Sequence, residues 1–206
     1  MYVPPLFEIQ ELPALHEAIE SVGLANFVTW TGTELLATKL PLMLVRDEGE
    51  FGTLYGHFAK ANPQWNAGVT SEALAIFSGL DAYITPSWYA TKQQTGKVVP
   101  TWNYETIHAY GVPEFFQEET GLLDVVTRLT QLHEGKVGGA WQVSDAPDEF
   151  IRAQLRGIVG FRMPIARLQG KRKMSQNRPL ADRVGVAEGL RQQGRDAVAK
   201  MIPTDK

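Results

Sequence analysis

The chain has 206 residues, of which 44% are hydrophobic and 21% are charged, and its formal net charge is −3. This composition predicts a globular protein with a substantial core and excludes a global electrostatic attraction to nucleic acid or to anionic membranes. Cysteine is absent, which excludes disulfides and thiolate metal sites, and no apolar run is long enough to cross a bilayer. The amino terminus lacks the pattern of a signal peptide, so we expect a cytoplasmic protein with no membrane partner.

The first half of the chain predicts one helix followed by a series of strands. Apolar residues recur at helical spacing over residues 11–22 and Gly23 follows them, which indicates an amphipathic helix. Short β-rich runs separated by turn residues come next, which is typical of an antiparallel meander. These runs are "ANFVTW", "ELLATKLPLMLV", "GTLYGHF", "ALAIFSG", "DAYIT" and "VVPTWNYETIHAYG".

The second half adds helices and two further strands. Helical periodicity predicts helices over residues 115–133 and 147–158, and the second opens with a proline and two acidic residues that suit a first turn. The stretch "FRMPIARLQGKRKMSQN" predicts two strands joined by a turn at Gly170. A last helix is expected over about 180–193, and residues from about 190 to 206 are expected to form a polar carboxy-terminal tail.

Strands therefore dominate the centre of the chain and never alternate regularly with helices. This order disfavours a parallel βαβ sheet and favours a mainly β (α+β) fold, in which antiparallel pairing closes a barrel and helices lie at its periphery. No linker, internal repeat or low-complexity stretch divides the sequence. We therefore expect a single domain over residues 1–206.

The stretch "GHFAKANPQW" at residues 56–65 follows a predicted strand and combines several polar side chains. Lys60 and Asn62 precede Pro63, which suits the start of a short helix. Free backbone N–H groups at a helix start, together with an ammonium and an amide, are the donors that a phosphate monoester requires. The alternative is a surface loop whose lysine is solvated and whose Asn62 caps the helix.

Two further stretches place aromatic and polar groups at predicted strand ends. "YITPSWYATK" supplies Trp88 and Lys92, and "VVPTWNYETIHAYG" supplies Trp102, Asn103 and His108. Indole, amide and amine groups in this combination suit a flat heteroaromatic ring that carries a phosphate tail. The alternative is that Trp88 and Trp102 plug a barrel end or lie in a dimer interface.

The basic stretch "GKRKMSQN" allows three interpretations. If it is a strand, alternation places Lys171 and Lys173 on one face and Gln176 on the other. It is then a solvated edge strand, a second wall of a ligand site, or part of a basic ridge for DNA.

Several familiar chemistries have no support in the sequence. The four histidines show no paired metal spacing, so no metal site is expected. The sequence also lacks the GxGxxG, Walker and GxSxG patterns of dinucleotide, nucleotide and serine-hydrolase sites. We therefore assign no catalytic residue.

Seven stretches taken together resemble the PaiB family, whose members are described as FMN-binding negative transcriptional regulators. They are "MYVPPLFE", "LATKLPLML", "GHFAKANPQW", "DAYITPSWY", "VVPTWNY", "HAYG" and "GKRKMSQN", and the resemblance runs from Met1 to about Gly189. Two departures stand out. Residues 78–85 read "SGLDAYIT", where family members more often have Gly-Pro before the aspartate and a serine after the isoleucine. Arg172 stands where an aromatic residue is usual, which alters the wall beside Lys173.

The resemblance implies an antiparallel split β-barrel of the FMN-binding type, which forms a homodimer with FMN in clefts between the subunits. In such relatives, a strand with a cation near its end and a following polar turn hold the phosphate. Analogy of position assigns Thr38 and Lys39 to the strand, assigns His57, Lys60 and Asn62 to the turn, and brings Gln176 to the flavin. We expect eleven cofactor-binding residues in all: Thr38, Lys39, His57, Lys60, Asn62, Trp88, Lys92, Trp102, Asn103, Lys173 and Gln176.

The function implied is that of an FMN-binding negative regulator of transcription that acts through flavin binding or redox chemistry. A flavin-dependent oxidoreductase without direct DNA binding is an alternative, because a bound flavin itself makes and breaks the bonds. A haem-binding split barrel, with His57 as axial ligand, is another. Direct DNA binding has little support, because no helix-turn-helix is visible and basic residues concentrate only at Arg162, Arg167, Lys171, Arg172, Lys173 and Arg178.

Overall fold

The computed structural model describes residues 1–68 and 71–205. Within these residues the chain forms ten β-strands: β1 (Glu8–Ile9), β2 (Leu24–Trp30), β3 (Leu35–Pro41), β4 (Met43–Val45), β5 (Thr53–Ala59), β6 (Ala73–Ile84), β7 (Thr101–Gly111), β8 (Glu114–Phe116), β9 (Ile158–Pro164) and β10 (Arg167–Lys173). The same residues form six α-helices: α1 (Leu12–Val22), α2 (Ala90–Thr95), α3 (Glu119–Val137), α4 (Asp148–Leu155), α5 (Leu180–Gln192) and α6 (Asp196–Lys200). Short 3-10 turns complete the list: Pro5–Phe7, Pro63–Trp65, Pro86–Trp88 and Val143–Asp145.

Most predicted elements are present, and several boundaries differ. The runs "ALAIFSG" and "DAYIT" form the single strand β6, and α4 ends at Leu155. Residues 115–116 belong to β8, and α3 begins only at Glu119. Phe116 lies opposite Gly160 of β9. A Cβ atom on Gly160 would lie 2.3 Å from the Phe116 ring, so the glycine leaves space for this ring. The sequence periodicity had assigned Phe116 to the helix. Gly170 lies within β10 opposite Ile9, and the chain turns instead at residues 165–166.

The described chain divides into two compact units. Unit 1 comprises Met1–Ala14, Ser78–Ile107 and Gln169–Lys206, and unit 2 comprises Leu15–Phe77 and His108–Leu168. The strands β6 and β7 are each divided between the two units. The single domain expected from the sequence stays a prediction.

Unit 1 contains strands in the order β1-β10-β7-β6. β1 pairs antiparallel with β10, with Glu8 opposite Lys171. Its core is an apolar cluster that includes Ile84, Tyr89 and Leu190.

The end of the chain differs from the polar tail that the sequence predicts. α5 extends to Gln192, α6 follows, and Val198, Ala199 and Ile202 are buried in the core of unit 1. Val198 and Ile202 are four residues apart and face the same side. A few apolar residues at that spacing are enough to dock a segment whose composition is mostly polar.

α5 packs closely against the turn that contains Trp88. A Cβ atom on Gly189 would lie 2.3 Å from the Trp88 ring, and one on Gly185 would lie 2.1 Å from the Trp88 carbonyl oxygen. The two glycines are four residues apart on one helix face, so they let the helix approach the indole. The Asp182 carboxylate of α5 also accepts hydrogen bonds from Thr91, at 2.8 Å from its backbone nitrogen and 2.9 Å from Oγ1.

Unit 2 contains two groups of antiparallel strands, in the orders β6-β2-β3 and β4-β5-β9-β8. β2 pairs with β3 along its whole length, from Leu24 opposite Pro41 to Trp30 opposite Leu35. β5 pairs with β9 in the same manner, with His57 opposite Gly160.

Three buried phenylalanine rings form the centre of unit 2. The Phe161 centroid lies 4.8 Å from the Phe27 centroid and 5.4 Å from the Phe58 centroid, distances typical of aromatic packing. On another face, α3 buries Val125 and Leu129 with Met43 of β4. The strands of unit 2 are therefore covered by the helix that follows β8.

Antiparallel pairing dominates the strands, as the sequence predicts. Over residues 1–68 and 71–205, no helix is both long enough and apolar enough to span a membrane. The same residues contain no group of three or more histidine or acidic side chains that could hold a metal ion.

Candidate functional site

The loop that follows β5 is held firmly in unit 2. The Lys60 backbone nitrogen donates to the Gly157 carbonyl oxygen at 2.8 Å, and the Trp65 Nε1 donates to the Lys60 carbonyl oxygen at 3.0 Å. The Asn62 nitrogen donates to the Ala59 carbonyl oxygen at 2.9 Å. The backbone around Lys60 is thereby fixed, while its side chain is exposed.

Gln64 fastens this loop to the neighbouring strands. Only 1% of its surface is exposed. Its Nε2 donates towards the carbonyl oxygens of Phe27 and Leu36 and towards Thr29 Oγ1, at 3.1–3.2 Å, and its Oε1 accepts from Thr38 Oγ1 at 2.6 Å. Sequence reasoning missed Gln64, because an amide between a proline and a tryptophan reads as an exposed loop residue.

Two of the predicted phosphate residues, Thr38 and Asn62, lie in direct contact. The Asn62 Nδ2 donates to Thr38 Oγ1 at 2.8 Å, and the Asn62 Oδ1 accepts from the Gln64 backbone nitrogen at 2.9 Å. Asn62 is therefore the cap of the turn that begins at Pro63, which was the alternative interpretation of this stretch.

Three positions of this turn offer no free backbone N–H group to an anion. Pro63 has no N–H, the Gln64 N–H is bound by the Asn62 side chain, and the Asn62 N–H is bound within the loop. Lys39 and Thr38 are consecutive on β3 and so point to opposite faces of the strand, which separates Lys39 from the group around Asn62.

Lys60 lines a small cavity together with two arginines, one within α4 and one directly after its last residue. This cavity has a volume of about 130 Å³, and Arg152 and Arg156 lie on its wall together with Glu119. Arg152 forms an ion pair with Glu119, at 3.5 Å between Nε and Oε1. In the part of the chain that the structure describes, neither the Lys60 ammonium nor the Arg156 guanidinium has a hydrogen bond or an ion pair. The site therefore presents two uncompensated cations.

His57 lies apart from the hydrogen bonds of Thr38, Asn62 and Gln64. Its imidazole borders an apolar groove beneath α3 and α4, and its Nδ1 is buried and makes no hydrogen bond within residues 1–68 and 71–205. Burial lowers the pKa of His57 below its ordinary value of 6.5, so the ring is neutral at neutral pH. A neutral imidazole can still donate one N–H hydrogen bond, so the assignment of His57 to the phosphate stays a prediction.

Two partly buried histidines lead us to expect that the stability falls as the pH is lowered. Burial lowers the pKa of both His57 and His108, so the unfolded chain binds more protons than the folded one just below pH 6.5. Stability contributed by the neutral rings is fully present above about pH 6.5 and is lost as the pH falls through the folded pKa values. We expect urea unfolding to require less urea at about pH 5 than at about pH 7.5. The double variant H57F/H108F should flatten this dependence, and an unchanged slope would contradict the assignment.

Three of the predicted residues of unit 1, Lys173, Asn103 and Gln176, already have hydrogen-bond partners. The Lys173 Nζ donates to Thr101 Oγ1 at 2.5 Å and to the Trp102 carbonyl oxygen at 2.6 Å, and burial lowers the pKa of Lys173. The Asn103 Nδ2 donates to Ser175 Oγ at 2.9 Å. The Gln176 side chain is closed onto its own turn, where it accepts from the Met174 nitrogen and donates to the Arg172 carbonyl oxygen, both at 2.6 Å.

The two predicted tryptophans differ in their surroundings. Trp88 packs on α5 and against the core of unit 1, which supports a packing role for this indole. Trp102 is 55% exposed, and its ring meets Tyr83 edge-on at a centroid distance of 5.9 Å. Lys92 is exposed and donates to Ser87 Oγ at 3.3 Å. Trp102 is thus the predicted aromatic residue with a free surface.

Each cation of the predicted basic ridge has a partner within the chain. Arg162 pairs with Glu114 at 2.8 Å, Arg167 with Glu72 at 3.4 Å, and Arg172 with the buried Glu105 at 2.5 Å. The other three bind oxygen atoms or an aromatic ring. Lys171 donates to the Tyr2 carbonyl oxygen, and Lys173 donates to Thr101 Oγ1 and to the Trp102 carbonyl oxygen. The Arg178 guanidinium lies over the Tyr89 ring. Arg172, which departs from the family pattern, therefore neutralises a buried carboxylate.

Comparison with known proteins gives consistent matches in sequence. Residues 1–167 match the family described as "Putative FMN-binding domain". The chain is 30% identical over 191 residues to the protease synthase and sporulation protein PAI 2 of Bacillus subtilis, which covers 92% of this chain and 89% of that protein. It is also 39% identical over 187 residues to an uncharacterized protein of Aspergillus fumigatus, with coverages of 73% and 72%.

Solved structures with a similar fold share little sequence. A conserved hypothetical protein of Mycobacterium tuberculosis superposes with a TM-score of 0.60 at 12% identity, over 87% of this chain and 94% of that one. The FAD and heme binding protein of Mycobacterium smegmatis gives 0.59 at 13% identity, over 81% and 73%. The predicted split-barrel class with peripheral helices is confirmed by these likenesses.

Proposed function

This chain belongs to the PaiB-type FMN-binding family, and from that premise we propose that it binds FMN with the phosphate held at Lys60. The observation that carries the proposal is the Lys60 ammonium, which has no partner among the described residues and lines a cavity with Arg156. Ammonium and guanidinium groups are the strongest side-chain donors for a phosphate dianion. The chemistry of this donor set fits the group.

The loop geometry supports the same assignment. The hydrogen bonds of Asn62 and Gln64 fix the backbone around Lys60. The loop therefore loses less conformational entropy when the Lys60 ammonium binds a phosphate. The backbone N–H groups of Asn62 and Gln64 are already bound and Pro63 has none, so we assign the main phosphate contacts to side chains. A bound flavin supplies hydride or electron transfer, and the residues of this chain hold and orient it.

Unit 1 is considered by itself. The exposed indole of Trp102 offers a flat surface on which an aromatic ring can stack. The side chains of Asn103, Lys173 and Gln176 already form hydrogen bonds within unit 1. Each would have to exchange its present partner in order to contact a flavin.

We also propose the homodimer that the family resemblance implies. On paired strands of unit 2, the opposed residues Trp30 and Leu35 are 40% and 69% exposed, and Leu24 is exposed on the same strand as Trp30. Large apolar side chains on an exposed strand pair are typical of a surface that another subunit covers. Sedimentation equilibrium on the purified protein measures this directly, and a mass of 22.9 kDa would count against the dimer.

A role in regulation is proposed to be indirect and cytoplasmic. The name of the relative PAI 2 refers to protease synthesis and sporulation, which supports an effect on gene expression. The six cations of the predicted basic ridge are engaged with partners inside the chain, which disfavours phosphate contacts with DNA. A signal carried by flavin binding or by flavin redox state agrees better with these contacts.

The test is titration of the purified protein with FMN and with haemin, followed by visible absorbance and fluorescence. We expect flavin fluorescence to be quenched with a single binding site per chain. Absence of flavin binding at micromolar protein and ligand would refute the proposal, and a Soret band with haemin alone would favour the haem alternative.

A further inference from the structure

Arg152 lies between the small cavity assigned to the phosphate and a larger cavity of unit 2. The larger cavity has a volume of about 320 Å³, and both cavities are lined by Arg152, Glu119 and Leu155. The side chain of Arg152 is 59% exposed and that of Glu119 is 62% exposed, so neither is fixed by packing. The wall of the larger cavity also carries Asp148, which forms no ion pair with Arg152 in the described part of the chain.

The ion pair between Arg152 and Glu119 is an open one. Its Nε and Oε1 atoms lie 3.5 Å apart, and within residues 1–68 and 71–205 the Arg152 guanidinium donates no hydrogen bond. The pair of Arg46 and Glu20, also in unit 2, is closed by two hydrogen bonds of 2.8 and 2.6 Å. An exposed ion pair without hydrogen bonds contributes little to stability, so Arg152 can leave Glu119 for a stronger acceptor.

The spacing of α4 directs Arg152 and Arg156 at the same cavity. They are four residues apart, and the Arg156 backbone nitrogen donates to the Arg152 carbonyl oxygen at 3.2 Å, so the helical spacing continues past the last residue of α4. Four charged side chains line the small cavity: Lys60, Arg152, Arg156 and Glu119. A phosphate held by Lys60 and Arg156 therefore lies in a cavity that Arg152 already borders.

We propose that Arg152 is a third phosphate-binding cation, which exchanges Glu119 for the phosphate when the ligand binds, so that Glu119 limits the affinity of the site. This inference rests on the proposed function, because it concerns the same phosphate. A phosphate monoester carries about 1.5 to 2 negative charges at pH 7 and three acceptor oxygens, whereas the carboxylate carries one charge. A guanidinium can bind such a group through two parallel hydrogen bonds, which its present contact with Glu119 lacks.

The exchange predicts opposite effects for the two partners. Glu119→Gln should lower the dissociation constant for FMN about twofold to fivefold, because Arg152 then has no competing carboxylate. Arg152→Met should raise it about tenfold, because a charged hydrogen bond to the phosphate is lost. Riboflavin, which has no phosphate, should respond to neither change. Glu149→Gln is the matched control, because Glu149 is an exposed acidic residue in the first turn of α4 that lines neither cavity, and it should leave FMN affinity unchanged.

The double variant E119Q/R152M separates exchange from simple repulsion between the Glu119 carboxylate and the phosphate. If Glu119 holds Arg152 away from the ligand, Glu119→Gln should strengthen FMN binding less in the Arg152→Met background than in the wild type. If the carboxylate only repels the phosphate, the gain should be equal or larger in that background, because Arg152 no longer shields the charge. The sign of the coupling between the two substitutions decides between these mechanisms.

A second probe tests the site without a flavin. Methyl phosphate carries the same dianionic group as FMN, and its binding to the wild-type protein and to the variants can be followed by phosphorus NMR. We expect weak binding in the millimolar range, strengthened by Glu119→Gln and weakened by Arg152→Met. Urea unfolding of each variant verifies that these exposed substitutions leave the fold intact.

Three results would overturn the inference. They are an unchanged or weaker affinity for both phosphate probes in Glu119→Gln, an unchanged affinity in Arg152→Met, and an equal or larger gain from Glu119→Gln when Arg152 is absent. The proposed function fails differently. It fails if FMN does not bind, whereas methyl phosphate still reports on the exchange; the inference alone fails if FMN binds through Lys60 and ignores both substitutions.

Discussion

Replacement of Lys60 by alanine is expected to weaken FMN binding by about tenfold to a hundredfold while riboflavin binding stays nearly unchanged. A hydrogen bond to a charged group contributes about 1.5–3 kcal/mol, which corresponds to that range of affinity. Riboflavin lacks the phosphate, so it loses no ion pair when the ammonium is removed. The difference between the two ligands therefore isolates the phosphate contact.

The measurement is fluorescence quenching of each flavin by the wild-type protein and by the variant at one fixed salt concentration. Lys200→Ala is the matched control, because Lys200 is an exposed lysine at the end of α6 in unit 1. It should leave both affinities unchanged. An equal loss for FMN and riboflavin in Lys60→Ala would contradict the phosphate assignment and point to a general disturbance of the loop.

Replacement of Gln64 by leucine is expected to lower the free energy of unfolding by about 3 kcal/mol. Leucine has a similar volume and keeps the site filled, but it removes a donor shared by Phe27 O, Thr29 Oγ1 and Leu36 O. It also removes the acceptor of Thr38 Oγ1. Each buried group that loses its partner costs about 1–3 kcal/mol.

Urea unfolding of the purified protein, followed by tryptophan fluorescence and circular dichroism, measures this loss. Gln192→Leu is the control, because Gln192 is exposed at the end of α5, and its effect should be within about 0.5 kcal/mol. Gln64→Leu should also weaken FMN binding, because the loop that carries Lys60 loses its attachment to β2 and β3. A stable variant with unaltered flavin affinity would show that Gln64 does not hold the loop.

The contact between Thr38 and Asn62 illustrates what the family resemblance can predict. Both residues were named from their positions in matched stretches, and the structure brings them within hydrogen-bond distance. The same reasoning named Lys39 and His57, which lie on another strand face and in an apolar groove. An analogy of position predicts the strand or loop on which a residue lies. It does not predict the direction of the side chain, because that depends on the register of the strand and on the residues packed around it.

Residue type alone left the interpretation of Trp88 and of the basic stretch open. An indole beside a proline fits a ligand site and a packing site equally well, and only the structure shows that the glycines of α5, about 100 residues further on, pack against Trp88. The cations at 162–178 form a dense cluster in the sequence, yet they pair with residues such as Glu72, Glu105 and Glu114 from distant parts of the chain.

The sequence by itself determined the fold class, the approximate position of most strands and helices, and the family, because alternation, turn residues and short motifs are local properties that can be read in order. The tertiary structure alone decided the role of Gln64, the burial of His57 beneath two helices and the docking of the last helix. Each of these depends on contacts between residues far apart in the chain. Hydrogen bonding and burial are set by what packs against a side chain, and no local pattern specifies that.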